Sequence, residues 1–246
     1  MENREFIIKK FKEVKALGFV ISKRKNSTGI GKTFEDYAGI KENNLDEPDL
    51  VGYEIKSHRE LSNSYVTLFT KAPTFPKRAN NYLNKTYGIP YEDPLKKHLK
   101  KLHTSIYANR HNSFANKLSF RLINDRAQET IKIGVYDIET RHLMDDTVGY
   151  NYNILKKVIK KKLHNLFYVS AETKFENGRE SFYFNKADIY SEPSFEKFLN
   201  LIDEGLIMYD IRIGSNPNGT SHDHGSGFRM LQPNIKLLYK RHEIVE

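Results

Sequence analysis

The chain is organised around one short segment, Pro48-Asp49-Leu50-Val51-Gly52-Tyr53-Glu54-Ile55-Lys56. Val51 to Lys56 is typical of an extended strand, along which alternate side chains share a face. Glu54 and Lys56 are therefore predicted to project from one face, while Tyr53 and Ile55 point toward a core. Asp49 follows a proline, which keeps the chain from continuing as a helix, and its carboxylate can turn toward Glu54. The segment predicts two hard oxygen ligands of the kind that Mg²⁺ prefers, beside an ammonium group.

These three charged groups suit the hydrolysis of a phosphodiester. The phosphate is anionic and repels hydroxide, so catalysis needs a cation to neutralise charge and a water made nucleophilic near neutral pH. Asp49 and Glu54 would hold the cation, and Lys56 would position the water and stabilise the transition state. Because 29% of the residues are charged, the same spacing also occurs by chance. The hypothesis therefore needs support from elsewhere in the chain.

That support lies upstream, where Ser27 to Ile40 has the pattern of a glycine-rich turn that opens a helix. Phe34, Tyr37 and Ala38 would lie on one side of the helix and Glu35 on another, which makes Glu35 a third acid. The combined pattern resembles the PD-(D/E)xK nucleases, and within them the branch of the mismatch-repair nickase MutH and the MvaI/BcnI restriction endonucleases. The matching elements are Gly29-x-Gly31-Lys32-x-x-Glu35 and Asp49-x4-Glu54-x-Lys56.

The resemblance implies an α/β (α+β) fold, in which a mixed central sheet is flanked by helices and accompanied by a second, DNA-recognition lobe. It implies a type II restriction endonuclease that uses Mg²⁺ to hydrolyse double-stranded DNA and leaves 5′-phosphate and 3′-hydroxyl ends. It also implies action as a monomer on a CCWGG target, where W is A or T, and a cognate methyltransferase that forms no stable complex with the enzyme. The implied catalytic residues are Glu35, Asp49, Glu54 and Lys56, with Asp49 and Glu54 as the metal ligands.

Composition agrees with a nucleic-acid partner. The 246 residues include 40 basic and 31 acidic side chains, a formal net charge of +9, which favours polyanions. There is no cysteine, which excludes disulfides and thiolate metal sites and fits a reducing cytoplasm. No apolar run approaches the length of a membrane span, and the N-terminal residues do not resemble a signal peptide. We expect a cytoplasmic protein with no membrane association.

Hydrophobic periodicity and turn residues predict the remaining organisation. We expect a mainly catalytic lobe over residues 1–145 and a mainly DNA-recognition lobe over 146–246, the two sharing a core. The strands near 119–123 and 131–136 are expected to join the sheet that carries Glu54. The basic segment 95–102 is interpreted either as a DNA-backbone contact or as an exposed helix face. Helices are predicted at 3–17, 152–163 and 194–203, and further strands at 19–22, 65–70, 141–144, 166–170, 181–184 and 206–213.

A second informative segment runs from Gly214 to Arg229 and is predicted to be a long flexible loop. Arginine makes bidentate contacts to guanine, histidine donates to guanine acceptors, and aspartate accepts from the cytosine amino group, so base recognition is the preferred interpretation. Zinc binding by the two histidines is the alternative, but the loop offers no third nitrogen or sulfur ligand. The predicted DNA-contacting residues are Asp210, Arg212, His222, Asp223, His224 and Arg229.

Other interpretations compete with the nuclease. Gly31-Lys32-Thr33 before a helix resembles a phosphate-binding loop, but Asn26 stands where that motif needs its first glycine. Asp137 and Glu139 follow a strand and could serve an ATPase or an exonuclease, although such exonucleases open their domain with that strand. The functional alternatives are a MutH-like repair nickase, which would need partner proteins, and a DNA-binding protein without cleavage. A pure binder has no use for carboxylates gathered beside its DNA surface, since they repel DNA.

Overall fold

The computed structural model of the chain describes residues 2–26, 28–40, 52–60 and 64–245. In chain order its elements are α1 (Glu2–Ala16), β1 (Phe19–Ile21), α2 (Gly29–Ala38), β2 (Glu54–Arg59), β3 (Tyr65–Thr70), α3 (Ala79–Tyr87), β4 (Ile89–Pro90), a 3₁₀ turn (Pro94–Lys96), β5 (Lys100–Ile106), β6 (Leu118–Asp125), β7 (Thr130–Asp137), β8 (Leu143–Asn151), α4 (Tyr152–Lys162), β9 (Asn165–Glu176), β10 (Arg179–Pro193), α5 (Phe195–Asp203), β11 (Ile207–Ser215), β12 (Ser221–Asp223), β13 (Gly227–Leu231), a 3₁₀ helix (Gln232–Leu238) and β14 (Tyr239–Val245).

The chain divides into two compact units, and each is made from separate segments of sequence. The predicted lobe boundary after residue 145 lies inside β8, within the second unit, so neither unit corresponds to one half of the chain. Unit 1 comprises Met1–Ser64, Ile159–Ser194 and Ile235–Glu246, and unit 2 comprises Tyr65–Val158 and Phe195–Asn234.

Unit 1 is built on a mixed sheet, which is five-stranded within the described residues and has the order β1-β10-β9-β2, with β14 also paired to β10. β2 runs parallel to β9, and the other pairs are antiparallel. α1 packs on this sheet because Ile7, Phe11 and Val14 recur at helical spacing and are buried. Gly18, at φ 68°, follows the end of this helix, in the left-handed conformation that glycine adopts most readily. The predicted mixed sheet flanked by helices is confirmed.

β10 changes the face that it turns to this core at a β-bulge. Its register against β9 shifts between Phe184 and Lys186, which makes Asn185 the extra residue. Because side chains alternate with a period of two, one extra residue exchanges the buried and outward positions beyond it. The buried core residues are Phe182 and Phe184 before the bulge, and Ala187 and Ile189 after it.

Unit 2 contains two antiparallel sheets in the part of the chain that the structure describes. One has the order β3-β13-β11-β5-β4, with β12 added to β11, and the other has the order β6-β7-β8. β6 and β7 pair with each other as predicted, but the expectation that they extend the sheet carrying Glu54 is wrong. Strand pairing between distant segments is not encoded in the local pattern of either strand.

Two further predictions about unit 2 need correction, and one helix was not predicted. Gly214 to Arg229 is not a long flexible loop, since it contains β12 and β13, which both pair with β11. The basic segment 95–102 is not a helix but a 3₁₀ turn followed by the start of β5. α3 was not predicted, because three of its nine residues are asparagine, which has a low helix propensity. The helices at α4 and α5 were predicted within a few residues.

The core of unit 2 is an aromatic cluster centred on Phe228 of β13. Its ring centroid lies 5.1 Å from Tyr209, 5.2 Å from Phe69, and 5.3 Å from both Tyr150 and Phe198. Phe228 itself is fully buried. Aromatic pairs at such spacings stabilise a core beyond the area that they bury.

Replacing Phe228 with alanine is expected to lower the free energy of unfolding by about 3–5 kcal/mol, because it removes the ring that contacts four others and leaves a cavity. Urea denaturation followed by near-UV circular dichroism measures this change. Leu95→Ala is the matched control, since Leu95 is 84% exposed, and it should change stability by less than about 0.5 kcal/mol. Equal effects of the two substitutions would contradict the central position of Phe228.

Candidate functional site

The two charged side chains of β2 meet on one face of the strand, as predicted. Lys56 Nζ donates to Glu54 Oε1 at 3.1 Å, and the side chains are 21% and 19% exposed, respectively. Ile55, between them, is buried in the core of unit 1, and Tyr53 packs against the same core. Strand alternation thus separates an apolar face, which anchors β2, from a polar face that carries a carboxylate beside an ammonium.

A histidine continues this polar face. His58 Nε2 lies 2.8 Å from Ser170 Oγ, and Nδ1 lies 3.2 Å from the Arg59 carbonyl oxygen. Its ring stacks on Tyr168 at 4.3 Å between centroids. Burial lowers the pKa of His58, so the arrangement favours a neutral ring in which Nδ1–H donates and Nε2 accepts from the serine. His58 is therefore a fixed, uncharged group on the strand that carries Lys56.

Tyr239 of β14 belongs to the surroundings of Glu54, although no pattern in the sequence pointed to it. Tyr239 is 3% exposed. Burial raises the pKa of Tyr239, and the negative charge of Glu54 raises it further. A hydroxyl that stays protonated near a carboxylate is suited to donate to it or to an oxygen beside it. Only the pairing of β14 with β10 brings position 239 into unit 1.

Of the other two predicted catalytic acids, the structure describes only Glu35. Glu35 lies half-buried in the second turn of α2, a helix that packs against β2. Asp49 lies outside the described residues. Within those residues no group of three or more His, Cys, Asp or Glu side chains could hold a metal ion. Of the predicted metal ligands Asp49 and Glu54, only Glu54 lies within the described residues.

In unit 2, two of the predicted base-contacting residues, Arg212 and Arg229, contact the carboxylate of a third, Asp210. Asp210 of β11 is 7% exposed, and its Oδ2 accepts from Arg212 Nε at 2.6 Å. Arg229 Nε lies 3.0 Å from the same oxygen. The other oxygen, Oδ1, accepts from Ser105 Oγ at 2.9 Å. Asp210 therefore holds two guanidinium groups at fixed positions, and each keeps N–H groups that Asp210 does not use.

The two arginines differ in exposure. The side chain of Arg212 is 49% exposed, whereas that of Arg229 is 14% exposed and also donates from Nη2 to the Gly225 carbonyl oxygen at 3.2 Å. Burial lowers the pKa of Arg229, and the charge of Asp210 opposes this shift. Arg212 is thus the more accessible of the two, and Arg229 lies deeper beside the shared carboxylate.

The histidine hairpin, which we define as Gly214–His224, presents His222 and His224 on the surface. Their ring centroids are 4.5 Å apart. A Cβ atom on Gly214 would lie 2.8 Å from His224 Nε2, so a larger residue there would displace this ring from its position over β11. His103 of β5 contacts His224 edge to face at 6.2 Å and pairs with Arg212 across the sheet. Sequence reasoning missed His103, because only the pairing of β5 with β11 brings it here.

Asp223 is occupied by internal hydrogen bonds. Its Oδ1 accepts from the backbone N–H of Gly225 at 3.0 Å and of Ser226 at 2.6 Å, and its Oδ2 accepts from Asn80 Nδ2 at 2.8 Å. Such a pattern is typical of an aspartate that shapes a turn through its own backbone. The predicted contact of Asp223 with cytosine stays a prediction.

Asp137 also shapes a turn. Its Oδ1 accepts from the backbone N–H of Glu139 at 3.0 Å and of Thr140 at 2.7 Å, and from Thr140 Oγ1 at 2.9 Å. These hydrogen bonds give the carboxylate a structural role at the end of β7. They favour the interpretation of this strand as a sheet strand leading into a polar turn.

Comparison with known proteins decides the family. The family model described as the MvaI/BcnI restriction endonuclease family matches residues 8–239. The chain belongs to the MvaI/BcnI restriction endonuclease family. Among solved structures, restriction endonuclease MvaI with its cognate DNA substrate is 31% identical, with 100% of this chain and 99% of that chain covered and a TM-score of 0.87. MvaI in the absence of DNA is also 31% identical, with 100% and 98% covered and a TM-score of 0.68. Among curated proteins no match was found.

As a member of the MvaI/BcnI family, the protein is a type II site-specific endonuclease with a PD-(D/E)xK-type nuclease fold that binds DNA. The resemblance inferred from Gly29-x-Gly31-Lys32-x-x-Glu35 and Asp49-x4-Glu54-x-Lys56 is confirmed at the level of the family. A DNA-binding protein without cleavage is therefore no longer the competing interpretation. Across the described residues, none of the helices combines the length and the apolar character that a membrane span requires.

Asp210→Ala is expected to lower the free energy of unfolding by about 3 kcal/mol, because it leaves the largely buried Arg229 without a counter-charge. The control is Asp203→Ala, which removes an exposed partner of Arg126 in the same unit and should cost less than about 1 kcal/mol. Urea denaturation of both variants gives the comparison. A loss for Asp210→Ala no greater than for the control would show that Asp210 is not the organising charge of this cluster.

Proposed function

We propose that this endonuclease hydrolyses double-stranded DNA in a Mg²⁺-dependent reaction at the polar face of β2. The observation that carries the proposal is the 3.1 Å contact between Lys56 Nζ and Glu54 Oε1, both on partly accessible side chains. Glu35 and Asp49 would complete the set of acids. In this proposal unit 1 carries the chemistry, and unit 2 carries the selection of sequence.

The donor chemistry of these residues fits Mg²⁺. Carboxylate oxygens are the ligands that this cation prefers, and the chain has no cysteine that would favour a softer metal. Glu54 and Asp49 would hold the ion, with Glu35 as the additional acid. Once bound, the cation would neutralise charge on the phosphate and lower the pKa of water.

The chain's own residues would orient the reactants. Lys56 donates hydrogen bonds to the attacking water and to a phosphate oxygen, and its contact with Glu54 fixes the direction of the ammonium group. The water attacks phosphorus in line with the bond to the 3′ oxygen, which breaks and leaves a 5′-phosphate and a 3′-hydroxyl. Tyr239, whose pKa is raised by burial and by the charge of Glu54, would remain protonated and offer a hydrogen-bond donor near this carboxylate.

Unit 2 would supply base recognition. Arg212, His222, His224 and Arg229 offer hydrogen-bond donors suited to guanine, and Asp210 orients both guanidinium groups. The family relationship, at 31% identity to MvaI over the whole chain, supports a CCWGG target. We further propose that the enzyme acts as a monomer and accompanies a methyltransferase that protects the same site without a stable complex.

Glu54→Gln and Lys56→Ala are each expected to lower the cleavage rate by at least about 10²-fold, since each removes a group that stabilises charge in the transition state. The assay is single-turnover cleavage of a plasmid that contains one CCWGG site, with Mg²⁺. The wild-type enzyme should give one linear product, and omission of Mg²⁺ should abolish it.

The matched control for Lys56→Ala is Lys12→Ala. Lys12 is an exposed lysine of α1, so this variant should cleave at the wild-type rate. Cleavage that survives both β2 substitutions but is lost in Asp137→Ala would move the chemistry to β7. Nicked circles that become linear only with added partner proteins would favour a repair nickase over a restriction enzyme.

Arg212→Ala is expected to reduce the preference for CCWGG over a site with one altered G·C pair by about 10- to 100-fold, the discrimination of one arginine–guanine contact. Competition binding on both duplexes without Mg²⁺ measures the ratio. Arg126→Ala is the control, because Arg126 is an exposed arginine of the same unit paired with Glu196 and Asp203. Equal weakening on both duplexes would make Arg212 a phosphate contact instead.

A further inference from the structure

The histidine hairpin joins its sheet over a short stretch. β12 is three residues long and pairs with β11, with Gly214 opposite His222 and Ser215 opposite Ser221. The turn at residues 216–220 has its own hydrogen bonds, but they lie at the tip of the hairpin and not beside the histidines. Contacts from the other side of β12 therefore contribute to the positions of His222 and His224.

α3 supplies this support through three asparagines on one side of the helix. Asn80 Nδ2 donates to Asp223 Oδ2 at 2.8 Å, and Asn81 Oδ1 accepts from the Ser221 backbone N–H at 2.9 Å. These two contacts lie on β12 itself. They bind the residues on either side of His222 to the same helix.

Asn84, one turn further along α3, fixes the strand beneath the hairpin. Its Nδ2 lies 3.2 Å from the Gly214 carbonyl oxygen, 3.0 Å from Ser215 Oγ and 3.0 Å from the Lys100 carbonyl oxygen. Asn84 is 4% exposed. Gly88 follows the helix end, and a Cβ atom there would lie 2.5 Å from Asn84 Oδ1. The absence of a side chain at Gly88 therefore makes room for the Asn84 amide. The start of the hairpin is thereby bonded to α3 as well.

The composition of α3 indicates that these contacts are the reason for its asparagines. Three of its nine residues are asparagine, which is less favourable than alanine in a helix by up to about 0.7 kcal/mol at each position. The amide group is suited to this place because it donates to a carboxylate or a carbonyl and accepts from an N–H without adding charge. The helix gives up intrinsic stability and gains hydrogen bonds to the hairpin.

We propose that Asn80, Asn81 and Asn84 are positioning residues that set the specificity of the enzyme by holding the histidine hairpin in register. This inference rests on the proposed role of His222 and His224 in base recognition. Hydrogen-bond readout of bases tolerates displacements of only about 0.5 Å. A hairpin released from α3 keeps its histidines but no longer presents them at one position, so discrimination falls while folding and catalysis remain.

The test compares wild-type enzyme with Asn80→Asp, Asn80→Ala, the double variant Asn80→Asp with Asp223→Asn, and Thr86→Ala. Asn80→Asp opposes two carboxylates across the 2.8 Å contact. The double variant restores a donor and an acceptor with their positions exchanged. The amide introduced at position 223 still accepts through its oxygen from the backbone of residues 225 and 226, and its nitrogen donates to the carboxylate introduced at position 80. Thr86→Ala is the matched control on an exposed position of α3.

Two quantities are measured for every variant. The first is amide hydrogen exchange over residues 221–226 without DNA, and the second is the ratio of cleavage rates on CCWGG and on a site with one altered G·C pair. We expect Asn80→Asp to raise the exchange rate and to lower the cleavage ratio, each by roughly tenfold. This is the fold-change that corresponds to the loss of one hydrogen bond to a charged group. Asn80→Ala should act in the same direction, the double variant should restore the exchange rate, and Thr86→Ala should change neither quantity. Thermal melting confirms that each variant is folded.

Exchange that stays at the wild-type rate in Asn80→Asp and Asn80→Ala would overturn the inference, because α3 would then not hold the hairpin. Faster exchange with an unchanged cleavage ratio would overturn its link to specificity. A wild-type enzyme that cleaves both duplexes equally would instead reject the proposed function, and the inference with it. That outcome is distinguishable, because the exchange data would still report the contact between α3 and β12.

Discussion

The alternation of side chains along β2 is the constraint on which unit 1 depends. Ile55 is held in the apolar core, and the sheet therefore turns Glu54 and Lys56 to the opposite face together. A carboxylate and an ammonium so close would be costly deep in an apolar interior, but both remain about one-fifth exposed. The strand thus combines a firm apolar anchor with charged groups that water and a substrate can still reach.

In unit 2 several basic side chains lie close together, and their mutual repulsion must be offset when no DNA is bound. Asp210 provides the compensating charge, and it is itself held by Ser105, Arg212 and Arg229. Burial and neighbouring basic side chains, His224 first among them, lower the pKa of His103, so the ring favours its neutral form. The surface therefore offers hydrogen-bond donors in fixed directions with less mutual repulsion than the number of basic side chains suggests.

Local sequence patterns were sufficient for part of this account. The period of two predicted the face shared by Glu54 and Lys56, and helical spacing predicted α1, α4 and α5. The pairing of distant strands could not be predicted from local patterns. β6 and β7 form their own sheet with β8, and His103 and Tyr239 approach the sites only through β5 and β14. α3 was not predicted for another reason. Its asparagines reduce helix propensity, and its hydrogen bonds join it to strands that are distant in the sequence.

The bulge at Asn185 has a consequence for how the sheet of unit 1 can vary. Beyond it, Ala187 and Ile189 enter the core, so Asp188 and Tyr190 lie on the face that Glu54 and Lys56 occupy, next to Tyr168. Deleting Asn185 would place Phe184 and Ala187 two positions apart, as in unbroken alternation, so the same side chains would stay in the core and only the local bend and extra twist of the bulge would be lost. A one-residue deletion beyond Ala187 would instead exchange the buried and outward positions in the rest of the strand, so β10 is expected to accept a shorter chain at the bulge and not beyond it.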